Sequence, residues 1–238
     1  MRKNERRWLA PILLAAVALL SPARAHAAGG AFFVDDSEIG KPGDCKVESW
    51  ASFASNHDAV LSANPACVAG LGIPVELTGQ FVRARSRDVW TTTGGVRGKI
   101  NFISLDTGIG VGLSAASSWD LSTGASNNEF IYLPVSIKLS ETVQLNLNAG
   151  WQRDAVAKIN YATWGAGFEW RFAPKLTLLG EVFGFAGQRT EGSAVTEPRA
   201  QLGLRLTPVK DIDLDLIYGR NITGENAHWI TVGLNLRF

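Results

Sequence analysis

The sequence is poor in the residue types on which many exported scaffolds and active sites depend. Of 238 residues, two are cysteine, three histidine and one methionine. Two cysteines exclude a disulfide-dense scaffold, and the isolated histidines offer no zinc-ligand spacing. Charge of one sign is also lacking. With 23 basic and 22 acidic residues the net charge is +1, which excludes a strongly basic nucleic-acid binder. Beyond residue 20 no apolar run reaches 18 residues, which excludes an ordinary helical membrane protein. No glycine-rich phosphate loop occurs. The 46% apolar content in turn excludes a disordered chain.

What is present begins with a three-part leader. Arg2, Lys3, Arg6 and Arg7 precede an apolar run from Trp8 to Leu20, and Ala25-His26-Ala27 follows. This pattern predicts a secretory signal peptide over residues 1–27. The run falls short of the roughly 20 residues that a membrane span needs. Cleavage before Ala28 removes five of the basic residues and one acidic, leaving 18 against 21, a mildly acidic exported chain.

The remainder is written in period two. Ile230, Val232, Leu234, Leu236 and Phe238 share one face, while Trp229, Thr231, Gly233, Asn235 and Arg237 share the other. Val143 to Gln152, Ala162 to Phe172, Gln201 to Thr207 and Asp211 to Gly219 alternate in the same way. Side chains two apart lie on one strand face, so each segment has a greasy and a polar side. These segments are too long for ordinary soluble strands and match the roughly 9–11 residues of a tilted membrane-crossing strand. The expected fold class is all-β, an antiparallel up-and-down transmembrane barrel of twelve strands over residues 45–238. Its strands are placed at 45–54, 57–68, 74–87, 93–103, 107–119, 129–139, 142–154, 160–172, 175–187, 197–207, 210–220 and 228–238. A soluble sandwich or lipocalin-like barrel is the alternative that inverts the packing. Parity then sets short turns at the periplasmic end and generally longer, Gly/Asn/Ser/Thr-rich loops outside.

The first hairpin carries both cysteines. A turn near Asn56 sets Cys45 opposite Cys67, where a disulfide fits an antiparallel ladder and an oxidising compartment. Free thiols or a metal pair are poorer readings. The same parity leaves a ten-stranded barrel open if residues 45–70 instead form a periplasmic clamp. Residues 28–44 read as an irregular periplasmic N-terminal segment that lies under the lumen or partly inside it.

The chain end, Thr231-Val232-Gly233-Leu234-Asn235-Leu236-Arg237-Phe238, resembles the C-terminal assembly signal of Gram-negative outer-membrane barrel proteins. Thr231, Gly233, Leu236 and Phe238 occupy its polar, glycine, hydrophobic and terminal aromatic places. The resemblance implies residence in the outer membrane, surrounding outer-membrane lipids, and the barrel-assembly machinery as a partner during insertion. The stretches Cys45-Lys46-Val47-Glu48-Ser49-Trp50, Pro65-Ala66-Cys67 and Pro74-Val75-Glu76-Leu77 also resemble small proteobacterial barrels described as transporters. None of these stretches names a substrate.

Alternation turns Lys46, Glu48, Glu76, Arg97, Lys99, Lys138, Asp154, Glu169, Arg171, Glu181, Arg199, Arg205, Asp211, Asp213, Asp215 and Arg237 inward. All of these but Lys46, Glu48, Glu76, Asp154 and Asp211 are candidate channel lining. With a turn at 208–209, Arg205 is expected opposite Asp213. Trp50, Trp229, Phe183 and Phe185 also point inward. Mixed signs on one wall either seal a small barrel or line a narrow path for small polar or ionic solutes. Enzyme chemistry finds little footing. His57 and His228 are the histidines left after residue 27, and no serine adjoins His228 on its strand to complete a hydrolase triad. The expectation is a channel or transporter-like barrel without cofactor or nucleic-acid partner; a sealed structural barrel and a lipid-modifying hydrolase are the alternatives.

Overall fold

The computed structural model describes residues 31–187, 198–223 and 226–238. The expected signal peptide lies outside them. The strands are β1 (Cys45–Ala54), β2 (Ala59–Gly70), β3 (Pro74–Ser86), β4 (Val89–Ile103), β5 (Ile109–Asp120), β6 (Ser126–Lys138), β7 (Val143–Asp154), β8 (Ile159–Ala173), β9 (Leu176–Gly187), β10 (Arg199–Val209), β11 (Ile212–Asn221) and β12 (His228–Arg237). Each pairs antiparallel with its sequence neighbours, and β1 pairs with β12 to close the barrel. Closure matters because hydrocarbon offers no partner to an open edge. Phe238 seals the seam: its N–H donates to the Cys45 carbonyl, and its carbonyl accepts from the Cys45 N–H, both at 2.9 Å.

The ten-strand alternative is thereby corrected. β1 and β2 are staves of the barrel, joined by the Cys45–Cys67 disulfide at directly opposed register positions. Chain-entropy reasoning gives a loop of this length about 3 kcal/mol of stabilisation.

Several connections differ from the expected spans: β6 begins at Ser126 rather than 129, a 3-10 turn at Leu105–Thr107 delays β5 to Ile109, and two further differences bear on register. β4 starts at Val89, because Trp90 and Thr91 pair with Arg85 and Ala84. The outer turn shrinks to Arg87 and Asp88, both with positive φ, as a tight hairpin turn requires. β10 runs through Pro208 to Val209, with a register irregularity after Leu206. The turn lies at 210–211 rather than the expected 208–209, and Arg205 faces Asp215 rather than Asp213.

The apolar faces point outward. Phe53, Phe81, Val96, Ile131, Leu147, Trp164, Phe168, Leu204, Leu216 and Val232 are exposed on the barrel exterior. The buried set is instead rich in Glu, Asp, Lys, Ser, Thr and Asn, among them Glu48, Glu76, Lys99, Ser136, Asn146, Glu181 and Asp213. An inside-out distribution of this kind suits a barrel solvated by lipid. The chain is an outer-membrane β-barrel.

Candidate functional site: a lumen occupied by the N-terminal segment

A barrel lined with charge must satisfy that charge, because buried unpaired ions are strongly unfavourable. Here a large part of the satisfaction comes from the chain's own N-terminal segment. From the exposed stretch 41–44 at the mouth that also carries Phe238, residues 40 to 31 run up inside the barrel, and Val34, Asp35, Asp36 and Ser37 are buried.

The wall meets this segment residue by residue. Lys99 Nζ on β4 reaches Asp35 Oδ1 and Asp36 Oδ1, each at 3.1 Å. The Tyr132 hydroxyl on β6 donates to Asp35 Oδ2 at 2.8 Å, and Arg97 stands 3.9 Å from the same oxygen. Asn148 on β7, with its amide turned to satisfy both groups, pairs with the Asp35 backbone N–H and carbonyl at 2.8 Å each. Higher up, the Glu181 carboxylate accepts the Phe33 and Val34 N–H groups, both at 2.8 Å. Lower down, Ser136 Oγ accepts the Ser37 N–H at 2.9 Å, and Asn101 Nδ2 donates to the Ser37 carbonyl at 2.7 Å.

Glycines on the inner faces make the room. A Cβ at Gly165 would stand 2.6 Å from Val34 Cγ2, one at Gly203 would stand 2.8 Å from the Phe32 ring, and one at Gly110 would stand 2.1 Å from Ser37 Oγ. The groove is therefore cut by sequence on three different strands, β8, β10 and β5.

Of the expected lining residues, Arg97, Lys99 and Glu181 hold the segment. Glu169 accepts from Asn146 Nδ2 at 2.8 Å, in the same buried layer as Ser136. Arg205 and Asp215 form a bidentate pair at 2.7 and 2.9 Å, and Asn235 donates to Asp215. Asp213 takes Arg237 and the Thr207 hydroxyl instead of Arg205. Lys46 bridges Glu48 and Glu76 at 3.1 and 3.2 Å. Lys138 and Arg171 sit at the rim beside the turn at Glu141. Lys138 bonds Glu141 at 2.8 Å and holds that carboxyl below its ordinary range, and Arg171 donates to the Glu141 carbonyl. Arg199 lies near the outer mouth, its guanidinium 5.7 Å from the Phe185 ring centroid. Trp50, Trp229, Phe183 and Phe185 face inward as expected.

Sequence reasoning missed Asp35, Asp36, Ser37, Tyr132, Ser136 and Asn148. The adjacent acidic pair Asp35-Asp36, facing the inward cations of β4, was the signal available. His57 stands in the turn after β1, and His228 has its ring against Tyr218 and its backbone N–H on Ser55 Oγ. Among the described residues no group of three or more His, Cys, Asp or Glu side chains is arranged to hold a metal.

The segment divides the lumen. Above it lies an outer vestibule of about 460 Å³, floored by Ala31, Phe32 and Phe33. Beside it is a cavity of about 160 Å³ between Asp35, Arg97 and Tyr132. Below it, toward the chain's C-terminal end, about 90 Å³ remain between Asp36, Glu38, Lys46 and Arg237.

A family model described as Uncharacterised conserved protein UCP029691 matches residues 16–238. None of the curated proteins compared with the chain matches it. Among solved structures, the fold is similar to the NanC porin, at 10% identity, with 80% of this chain and 98% of that chain covered and a TM-score of 0.65. It is similar to the KdgM porin, described in complex with disordered oligogalacturonate, at 12% identity, 81% and 99% coverage and a TM-score of 0.63. It also resembles the COG4313 outer membrane channel from Pseudomonas putida F1, at 12% identity, 90% and 100% coverage and a TM-score of 0.60. At these identities the likeness is one of fold, that of a porin-type barrel.

Proposed function

We propose that this chain, which belongs to the Uncharacterised conserved protein UCP029691 family, is an outer-membrane channel for small polar or ionic solutes, held shut by its own N-terminal segment. The observation that carries the reading is how that segment is held. Its polar contacts to the wall are ion pairs and hydrogen bonds from Lys99, Tyr132, Glu181, Ser136 and Asn101, and its buried apolar contacts are few, Val34 and the cluster of Phe32 with Leu179 and Ile217. Water can replace each polar partner when the segment leaves, so exposure of Val34 and Phe32 is the apolar cost that opening must meet. The wall that remains carries cations and carboxylates in near balance, which suits small solutes of either sign and gives weak charge selectivity.

A sealed structural barrel is the second reading, favoured by the density of the same network. Insertion through the C-terminal strand by the barrel-assembly machinery belongs to both readings. Planar-bilayer recording of the chain with residues 31–38 deleted separates them. Reproducible current steps, blocked or reduced by small polar solutes and rare in the intact chain, are expected of the channel. Silence from deleted protein shown to be folded by heat-modifiable gel mobility would leave the sealed barrel.

A further inference from the structure

The outer vestibule differs in chemistry from the lumen beneath it. The lower lumen is a mesh of carboxylates, cations and amides, yet the vestibule presents aromatic rings: Trp50, Trp229 and Phe183 from the wall, and Phe32 and Phe33 from the segment below. Phe32 and Phe183 are themselves buried, so the rings left facing open space are Phe33 and the half-buried Trp50 and Trp229, and such exposed aromatic surface is unfavourable unless something covers it.

These rings are also fixed in place. The Trp229 indole N–H donates to Gln201 Oε1 at 3.2 Å. Its ring lies over Gly219, where a Cβ would come within 2.2 Å of the indole. Phe33 stacks on Phe183 at 4.5 Å between centroids with 14° between planes, and it meets Phe185 edge-on at 5.7 Å. Even so, Phe33 remains 37% exposed. At about 460 Å³ the cavity falls within the range of small-molecule sites.

The polar groups around it narrow the class of occupant. Gln201 spends its amide on Glu181, the Ala31 carbonyl and Trp229. Ser52 and Thr231 bond each other at 2.6 Å. A polyhydroxylated ring would find these partners already engaged and would be left with the rim groups Asn56, Asp58, Arg199 and Asn221, whereas a flat aromatic ring needs chiefly the aromatic faces.

We propose that the outer vestibule is a binding site for small monocyclic aromatic solutes, stacked between Trp229 and the Phe33–Phe183 pair. This rests on the channel reading only in taking the bound solute to be one that crosses. Because Phe33 belongs to the closing segment, such a solute binds the closed form and favours it.

Equilibrium dialysis of labelled benzoate and benzyl alcohol against the folded intact chain in detergent tests the site, with glucose as the hydroxylated comparison. Both aromatic probes are expected to bind and glucose not to compete. Phe33→Ala and Trp229→Leu should each weaken binding about tenfold, the scale of losing one aromatic pair. Gly219→Leu, which displaces the indole, should act like Trp229→Leu. Trp151→Leu, on the lipid-facing exterior, measures partition into the micelle. Equal losses at Trp151 and Trp229, competition by glucose, or binding unaffected by Phe33→Ala would overturn the proposal. Binding retained by a chain whose deletion variant passes no current would instead count against the channel reading alone.

Discussion

Replacing both acidic residues of the closing segment, Asp35→Asn with Asp36→Asn, is expected to raise the open fraction of the barrel about a hundredfold or more. The Lys99 ammonium is 2% exposed and meets Asp35 and Asp36 at 3.1 Å each. With neutral amides in their place, its charge stays buried with no carboxylate in ion-pair contact whenever the segment is seated, the nearby Glu76 being held by Lys46 and Arg97. Breaking a buried pair from one side typically costs about 3–5 kcal/mol. The unseated state avoids that cost, because Lys99 then faces water. A differential of even about 3 kcal/mol moves a two-state equilibrium by more than a hundredfold. Single-channel recordings of the double variant in planar bilayers read this directly, as long-lived current steps that the intact chain shows only rarely. An open fraction equal to that of the intact chain would mean that the ion pairs do not hold the segment.

The second large effect concerns the barrel wall. Arg205→Ala should destabilise the folded barrel by about 3–5 kcal/mol, because Asp215 would keep a buried charge without its bidentate partner. The side chains of Arg205 and Asp215 are 5% and 1% exposed, so solvent screens the pair little. Asn235 still donates to Asp215 but brings no charge. Replacing both partners, Arg205→Met with Asp215→Leu, should recover part of the loss, since an apolar pair leaves no unpaired charge and only the Asn235 amide loses its acceptor. Urea unfolding in lipid vesicles compares the three chains. A single variant as stable as the parent would show that this pair is hydrated in the lumen.

The two results lie at different depths of legibility. Strand existence was written locally: Ile230 to Phe238 and Val143 to Trp151 alternate so regularly that lipid and lumen faces follow from the pleat alone. The Cys45–Cys67 pairing followed because one hairpin turn near Asn56 fixes it, and the bond is present at that register. Pairing across the turn between β10 and β11 failed for an equally local reason. Pro208 cannot donate to a ladder and looks like a terminator, yet β10 carries it and goes on to Val209. That extension moves Arg205 from Asp213 to Asp215.

The path of residues 31–38 left no periodic trace at all. It is set by partners 60 to 150 residues away, such as Lys99 and Glu181. Gly165 and Gly203 acquire meaning only once Val34 and Phe32 are seen against them. A one-dimensional pattern reports the wall faithfully and says little about what fills it.

The most direct measurement locks the segment in place. Val34 Cβ lies 3.7 Å from where a Cβ at Gly165 would stand, within the separation that a disulfide spans. Val34→Cys with Gly165→Cys, made in the Asp35→Asn/Asp36→Asn chain, tethers the segment to β8 when oxidised. Single-channel recording of that protein is expected to be silent under oxidising conditions and to give current steps when reductant is added, while the untethered double-Asn chain conducts in both. Current that persists with the tether shown by mass spectrometry to be closed would contradict a lumen shut by its own N-terminal segment.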